Sequence, residues 1–285
     1  MQAFNYAKPA SVAEAARAAG AADAKLLAGG QSLLAAMKLG LAAPAALVDL
    51  GGLTELKGIT VSGGAVKIGA MTTHAAVAAS KEVAQAIPAL AAMAAGIGDR
   101  QVRNRGTIGG SLAHSDPAAD YPAAVLALEG ELRLESATGA RTVKAEDFFI
   151  DLMTTAIKPG EILTAVRFAP LAAGAGFAYF KHRQPASGFA IVGVAACLTL
   201  DKSGKCQGAH IGITGLGAKA FRAKAVENAL NGKAADAKVL AYAAAHAADG
   251  IDPLSDIHAS ADFRAELARV YTRRALESAV ARAKG

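Results

Sequence analysis

The sequence has no tryptophan, and aromatic residues make up only 5% of its 285 positions. It therefore lacks the aromatic platforms on which single-stranded nucleic acids stack. The formal net charge is +6 and the pI about 9.3, but lysine and arginine are spread along the chain and matched locally by acidic residues. Because no basic helix or stripe is present, we predict that the protein does not bind nucleic acid. A mildly basic surface fits an anionic cofactor or an acidic partner subunit.

Cysteine is also scarce, with Cys197 and Cys206 the only two. Two thiols can neither ligate a four-cysteine iron–sulfur cluster nor build a disulfide framework. We predict a buried strand thiol for Cys197 and a surface thiol near a turn for Cys206. No apolar run of about eighteen residues occurs, and the N-terminal residues lack a basic stretch followed by an apolar one. We therefore expect a cytoplasmic protein without a membrane span.

Hydrophobic residues are abundant at 53%, and much of that share is alanine. Alanine favours helix and contributes little apolar area, so we expect close contacts between helices and between helices and sheets. A chain of this length is long enough to form two domains. Small residues accumulate at 170–176. We predict a larger domain at residues 1–172, with subdomains of about 1–55 and 56–172, and a smaller one at 173–285.

Short helices and strands alternate over the first 50 residues, which is an α/β pattern. Ser11, with Glu14 three residues on, predicts a helix start with a capping box. Residues 59–70 alternate in polarity on both sides of a Gly-Gly pair and predict a hairpin. Residues 96–120 are rich in Gly, Asn, Asp and Ser, and we predict a long functional loop there.

The second domain is predicted to be a small antiparallel sheet packed on helices. Strands are expected at residues 177–182, 190–200 and 208–214, and three helical segments close the chain. In the last helix, side chains recurring at three- and four-residue spacing predict one core-facing stripe. The stripe comprises Phe263, Leu267, Val270, Tyr271 and Arg274.

Two glycine-containing segments indicate a ligand-binding site. The first, predicted as a strand, a glycine turn and a helix start, comprises Leu26, Leu27, Ala28, Gly29, Gly30, Gln31, Ser32 and Leu33. The second comprises Thr107, Ile108, Gly109, Gly110 and Ser111. Adjacent glycines permit unusual turns and close approach by a ligand, and consecutive N–H groups can then bind an anion. The pair suits a diphosphate, although neither segment matches the GxGxxG fingerprint or the P-loop.

The residues that flank these segments form motifs specific enough to indicate a family. The ordered motifs are AGGQSLL at 28–34, QVRN at 101–104, TIGGSL at 107–112, Asp116-Pro117 with Asp120, YFK at 179–181, and matching residues from 263 to 276. With these motifs the chain resembles the flavin subunits of the xanthine dehydrogenase and carbon monoxide dehydrogenase group of molybdenum hydroxylases. The resemblance covers essentially the whole chain in order.

This resemblance implies an α+β structure, with a two-subdomain FAD-binding fold of the vanillyl-alcohol-oxidase type and a C-terminal domain of antiparallel sheet plus helices. It also implies that both glycine segments hold the FAD diphosphate. Asp120 would bind a polar part of the cofactor, and Ile162 would pack against it. Lys181 would approach the flavin, and Ile97 would make a further contact.

The function implied is an electron relay with no catalytic residue of its own. FAD would receive electrons from the 2Fe–2S clusters of a small partner subunit, while a large molybdopterin subunit hydroxylates the substrate, in a dimer of heterotrimers. Carbon monoxide, an aldehyde, a purine and an N-heterocycle all stay open as substrates. Many relatives carry paired arginines after the lysine, whereas this sequence has His182 and Arg183, so the electron acceptor stays open too.

Two alternatives remain, a self-contained flavin oxidase or reductase of the same fold, and a flavin-free assembly subunit. Several side chains have simpler interpretations. His114, Ser115 and Asp116 lie too close together in sequence to form a catalytic triad. Asp116 and Asp120 fit a turn and a helix start better than a metal site. The arginines at 100, 103 and 105 form either a solvated cluster or a partner-facing surface.

Overall fold

The computed structural model describes residues 2–285, which form an α+β structure with three main sheets. The strands are β1 (Asn5–Ala7), β2 (Ala24–Leu27), β3 (Ala46–Asp49), β4 (Ile59–Ser62), β5 (Ala65–Gly69), β6 (Glu131–Ser136), β7 (Gly139–Lys144), β8 (Phe149–Asp151), β9 (Thr154–Thr155), β10 (Ile162–Phe168), β11 (Ala175–Arg183), β12 (Ala190–Leu200), β13 (Cys206–Thr214) and β14 (Phe221–Arg222).

The helices alternate with the strands in the first part of the chain and dominate its end. They are α1 (Val12–Ala19), α2 (Leu33–Lys38), α3 (His74–Ala79), α4 (Lys81–Ala86), α5 (Pro88–Ala95), α6 (Arg100–Arg105), α7 (Ile108–His114), α8 (Asp120–Ala127), α9 (Ala145–Phe148), α10 (Lys224–Leu230), α11 (Ala237–Ala245) and α12 (Ala261–Ala283). Among residues 2–285, none of these helices is long and apolar enough to cross a membrane.

The first sheet is parallel, with the order β1-β3-β2. Helix α1 begins as predicted, because the Ser11 hydroxyl accepts a hydrogen bond from the Glu14 N–H at 3.2 Å. The Glu14 carboxylate accepts from the N–H of Ala10 at 2.9 Å, one residue before the cap. This sheet delivers the first glycine segment, which leaves the end of β2 and enters α2.

The second sheet is antiparallel, with the order β4-β5-β10-β6-β7. The predicted hairpin is confirmed as β4 and β5, joined by Gly63 and Gly64 at φ of 56° and 77°. Both angles lie in the left-handed region that glycine tolerates best. The third sheet is also antiparallel, in the order β11-β12-β13-β14, as predicted for the C-terminal part.

Helix α8 lies between the second and third sheets, and each of its eight residues is buried. Its backbone approaches β13 so closely that a Cβ on Gly212 would come within 2.1 Å of the carbonyl oxygen of Ala123. The glycine in β13 is therefore what allows the helix to dock. This docking fixes the first residue of α8, Asp120, beside strand β11.

Helix α12 packs on the third sheet through a different face from the one predicted. Of the predicted stripe, only Leu267 is buried, while Phe263 is 46% exposed. The buried face consists of Arg264, Leu267, Ala268, Thr272, Ala275, Leu276, Ala279 and Val280. The prediction was wrong because half of this face consists of small residues, which a stripe of large side chains does not reveal. A Cβ on Gly176 would lie 2.0 Å from the carbonyl oxygen of Ala279, so the helix and the sheet nearly touch backbone to backbone.

Two further predictions need correction. Residues 96–120 are not one long loop, because they contain helices α6 and α7. These helices are only six and seven residues long, too short to show a clear apolar period. Cys206 is buried at the start of β13, and its Sγ donates to the carbonyl oxygen of Gly208 at 3.3 Å. Burial raises the pKa of the Cys197 thiol in β12 to about 12.

Candidate functional site

A cavity of about 720 Å³ opens where the first sheet, the second sheet and the 183–189 turn meet. Most of the residues predicted to bind a cofactor line it, namely Leu26, Ala28, Gly29, Gly30, Gln31, Ser32, Leu33, Ile97, Thr107, Gly109, Gly110, Ser111, Asp120 and Ile162. The remaining three, Leu27, Ile108 and Lys181, do not line the cavity. The fold therefore brings together two segments that are about eighty positions apart in sequence.

The first glycine segment exposes unused backbone donors to this cavity. Gly30 adopts φ of 74°, which turns the chain between β2 and α2. Within residues 2–285, the peptide N–H groups of the five consecutive residues 29–33 have no hydrogen-bond partner. Ser32 and Leu33 stand at the start of helix α2, where the first N–H groups have no partner within the helix. A row of free donors in a concave wall is therefore suited to an acidic ligand.

The two glycine segments touch each other directly. A Cβ on Gly29 would come within 2.1 Å of the carbonyl oxygen of Arg105, just before the second segment. A Cβ on Gly110 would lie 3.5 Å from the Cβ of Ala28. Glycine at position 29 is thus required by close backbone contact.

The second glycine segment is the first turn of helix α7 and not a loop. Four of its N–H groups are already paired: Ile108 donates to the carbonyl of Thr72 at 3.1 Å, Gly109 to that of Ala70 at 2.8 Å, Gly110 to the Thr107 hydroxyl at 3.0 Å, and Ser111 to the carbonyl of Thr107 at 3.0 Å. These four are engaged within the protein, whereas the sequence predicted that the backbone of this segment binds an anion. Gly109 instead allows close packing, since its added Cβ would lie 2.4 Å from the Cβ of Ala70.

Asp120 is part of a buried polar cluster at the cavity wall. Its carboxylate accepts hydrogen bonds from the Tyr179 hydroxyl and from the Lys181 ammonium, the latter at 2.9 Å. Lys181 also donates to the carbonyl oxygen of Gly188 at 2.7 Å, which ties the 183–189 turn to helix α8. Burial raises the pKa of the Asp120 carboxyl, and the ammonium of Lys181 opposes that rise.

The sequence matches known families along most of its length. Residues 2–170 match the FAD binding domain in molybdopterin dehydrogenase, and residues 177–279 match the CO dehydrogenase flavoprotein C-terminal domain. The chain belongs to the FAD-binding subunits of the molybdenum hydroxylases. The resemblance stated from the glycine segments and their flanks is thereby confirmed.

The flavin subunit aligns with similar proteins over nearly its whole length. It is 38% identical to the 6-hydroxypseudooxynicotine dehydrogenase complex subunit alpha of Paenarthrobacter nicotinovorans, over 99% of this chain and 96% of that one. It is 40% identical to the carbon monoxide dehydrogenase medium chain of Hydrogenophaga pseudoflava, over 98% of each.

Solved structures agree with the fold. Carbon monoxide dehydrogenase from Hydrogenophaga pseudoflava superposes with a TM-score of 0.95 at 40% identity, covering 99% of this chain and 98% of that chain. Quinoline 2-oxidoreductase from Pseudomonas putida superposes with a TM-score of 0.91 at 35% identity, covering 100% and 99%. The predicted α+β class with an FAD-binding part and a C-terminal part is confirmed.

The cavity of the flavin subunit fits FAD on grounds of its own chemistry. The free N–H groups of residues 29–33 match a diphosphate, which is rich in acceptor oxygens and carries negative charge. Apolar side chains that include Ile97, Ile162 and Leu163 line other parts of the wall and suit a flat aromatic ring.

Several lining residues were missed from the sequence. These are His74 and Gly106, which belong to the wall. Ser187, Gly188 and Phe189 also line it, and they lie in the segment after Lys181 that departs from the family pattern. His74 carried no recognisable spacing, and only its place after the capping Thr73 hinted at a helix start. Of the three arginines, Arg103 is not merely solvated, because it donates to the carbonyl oxygens of Ile97 and Gly98 at 3.0 Å each.

Proposed function

We propose that this subunit relays electrons from the 2Fe–2S clusters of a small partner subunit, through FAD, to an external acceptor such as NAD, a quinone or dioxygen. Bound FAD supplies the redox chemistry, and the protein supplies binding, orientation and electrostatics. The observation that carries the proposal is the row of five unpaired N–H groups, at residues 29–33, in the wall of a cavity large enough for a nucleotide. Membership of the family supports the same role.

We propose that the first glycine segment holds the diphosphate with its backbone. The residues assigned to FAD are Leu26, Leu27, Ala28, Gly29, Gly30, Gln31, Ser32, Leu33, Ile97, Thr107, Ile108, Gly109, Gly110, Ser111, Asp120, Ile162 and Lys181. Residues 107–111 support the first segment and close the wall, and four of their five N–H groups, those of residues 108–111, are used within the protein. Asp120 and Lys181 act as a pair that positions Gly188.

The wider assembly is also a proposal. Relatives named as a medium chain or as subunit alpha of a complex support a partnership with a small iron–sulfur subunit and a large molybdopterin subunit. We expect a dimer of such heterotrimers, located in the cytoplasm. The substrate would be chosen by the large subunit, so carbon monoxide, aldehydes, purines and N-heterocycles are distinguished there. Within this chain, residues 1–172 would bind FAD and residues 173–285 would form the C-terminal domain.

The test is the visible absorption spectrum of the purified protein, with the released cofactor identified after denaturation. Flavin bands and one FAD per chain are expected. Addition of the reduced iron–sulfur subunit should then bleach those bands. A colourless protein that takes up no added FAD would contradict the proposal, and bleaching by a small alcohol alone would favour a self-contained oxidase.

A further inference from the structure

His74 is a buried histidine in the cavity wall without a hydrogen bond to its side chain. It is the first residue of helix α3 and is only 5% exposed. Its Nδ1 is enclosed by the protein and has no partner, and within residues 2–285 neither ring nitrogen is paired. The backbone N–H of His74, in contrast, donates to the carbonyl oxygen of Gly106 at 2.9 Å, which fixes the residue beside the second glycine segment.

Such a group needs an explanation, because a buried polar atom without a partner costs free energy. Ionisation does not supply one. Burial lowers the pKa of His74 to about 4, and the nearby Arg103 adds to this effect, so the ring is neutral at physiological pH. The ring of Tyr121 packs against it with centroids 5.4 Å apart. The Tyr121 hydroxyl is itself buried and unpaired, and Tyr121 does not line the cavity.

The geometry determines which edge of the ring can meet a ligand. Because Nδ1 is enclosed, only the edge that carries Nε2 can face the cavity. That edge lies against Gly106, whose added Cβ would come within 2.6 Å of Nε2. A larger residue at 106 would therefore displace the imidazole. When Nε2 carries the proton, the unpaired Nδ1 is an acceptor. Unpaired buried acceptors are more common in proteins than unpaired buried donors.

We propose that neutral His74 donates a hydrogen bond from Nε2 to an acceptor oxygen of the bound flavin nucleotide. This inference rests on the proposed function, since it assigns a further residue to the same cavity. His74 then acts as a positioning residue for FAD beside Gly106, whose α-carbon also lies close to Gly29. The contact gives the ring a hydrogen bond at Nε2, while Nδ1 stays an enclosed and unpaired acceptor.

The test compares His74→Gln with His74→Met in the full chain. The two side chains are similar in length, but only glutamine carries an amide N–H that can replace Nε2. FAD dissociation constants would be measured by quenching of flavin fluorescence, and Tm would be measured without FAD. We expect the methionine variant to bind FAD roughly threefold to tenfold more weakly, the range for one neutral hydrogen bond, and the glutamine variant to recover most of that loss.

Tyr121→Phe is the matched control. It removes an unpaired hydroxyl from the residue that packs against His74 but does not itself line the cavity. Its FAD affinity should equal that of the wild type. Equal FAD affinity in the wild type and both His74 variants, with changes in Tm alone, would overturn the inference and indicate an enclosed water or a packing role. Loss of FAD by the wild type itself would instead overturn the proposed function.

A measurement on the unaltered protein guards against variants that fail to fold. With 15N-labelled histidine, the Nε2 resonance of His74 should show a protonated nitrogen that shifts when FAD is added. It should stay neutral from pH 8 down to pH 5, as expected for the low pKa of this residue. A His74 resonance that ignores FAD would contradict the proposal.

Discussion

Among single residues, Gly29 has the strictest steric requirement in the site. Its α-carbon lies against the backbone of Arg105, and the neighbouring residues 29–33 line the cavity and have N–H groups without a hydrogen-bond partner. A side chain at position 29 would have to push the two glycine segments apart. The steric requirement and the binding requirement thus fall on the same residue.

Substitution of Gly29 by alanine should therefore weaken both stability and FAD binding. The added Cβ would meet backbone at 2.1 Å, and overpacking of this kind costs about 1–3 kcal/mol. We expect a lower free energy of unfolding in urea and less FAD per purified chain. Gly139→Ala is the control, since nothing lies within 4 Å of its added Cβ. Equal FAD content in the two variants would contradict the assignment of the first segment.

Lys181 offers a second prediction, which concerns pH. In Lys181→Met the buried Asp120 loses its cationic partner, and such a loss costs about 3–5 kcal/mol. Burial already raises the pKa of Asp120 in the folded state, and the variant should raise it further. A raised folded pKa favours the protonated form, so the stability it brings is present at low pH and is lost as pH rises through that pKa.

The destabilisation of Lys181→Met should accordingly be larger at pH 7 than at pH 5, measured as the free energy of unfolding in urea. Lys144→Met, at an exposed position of β7, serves as the control and should change little at either pH. A loss that is equal at both pH values would show that Asp120 is not the group left unpaired.

Among the elements, helix α12 shows why close packing is hard to infer from sequence. Its contact with the third sheet uses alanines and a threonine around Leu267 and Leu276, over a glycine in β11. Large apolar residues dominate a predicted stripe, but here the small residues set the distance between the helix and the sheet. The larger Phe263 lies outside and packs edge-on against the ring of His182.

The two faces of α12 predict different costs of truncation. Leu276 is fully buried, so Leu276→Ala should lower the free energy of unfolding by about 2–5 kcal/mol. Phe263→Ala, at a position that is nearly half exposed, should cost clearly less. Thermal unfolding of both variants checks the order. A larger loss at Phe263 would restore the stripe predicted from sequence.

The elements also show how far the sequence alone could lead. Hairpin β4–β5 was predictable because alternation and a Gly-Gly turn agree, and the start of helix α1 was predictable from the capping box of Ser11 and Glu14. Helices α6 and α7 were not, because their glycines and arginines resemble loop composition. The first glycine segment lines the cavity, and its binding of the FAD diphosphate stays a prediction. The pairing of the second segment's N–H groups with Ala70 and Thr72 depends on tertiary contact.

At the scale of the whole molecule, the cavity wall combines residues from all three sheet regions. Residues 25–50 belong to the first, residues 70–163 to the second, and residues 187–189 to the third. The ion pair of Asp120 and Lys181 joins the last two. A ligand in this cavity can therefore contact both N-terminal sheet regions and the turn that joins β11 to β12.

Removal of FAD should for this reason lower the stability of the whole chain and not of one part. A ligand at 100 times its dissociation constant stabilises the folded state by about 2.7 kcal/mol. We expect Tm to rise with FAD concentration, with amide hydrogen exchange slowed in α2, α7 and β11 together. Protection confined to α2 would indicate that the three regions are not coupled through the cavity.

The unpaired N–H groups of residues 29–33 have a consequence for how such a site changes over evolutionary time. Donors that belong to the main chain are present whatever side chains are attached to it. Gln31 and Ser32 can therefore be exchanged during sequence drift without removing a single donor, while Gly29 and Gly30 cannot be exchanged freely. In the function proposed above, the capacity to hold an acidic cofactor depends on the path of the backbone and not on the side chains of Gln31 and Ser32.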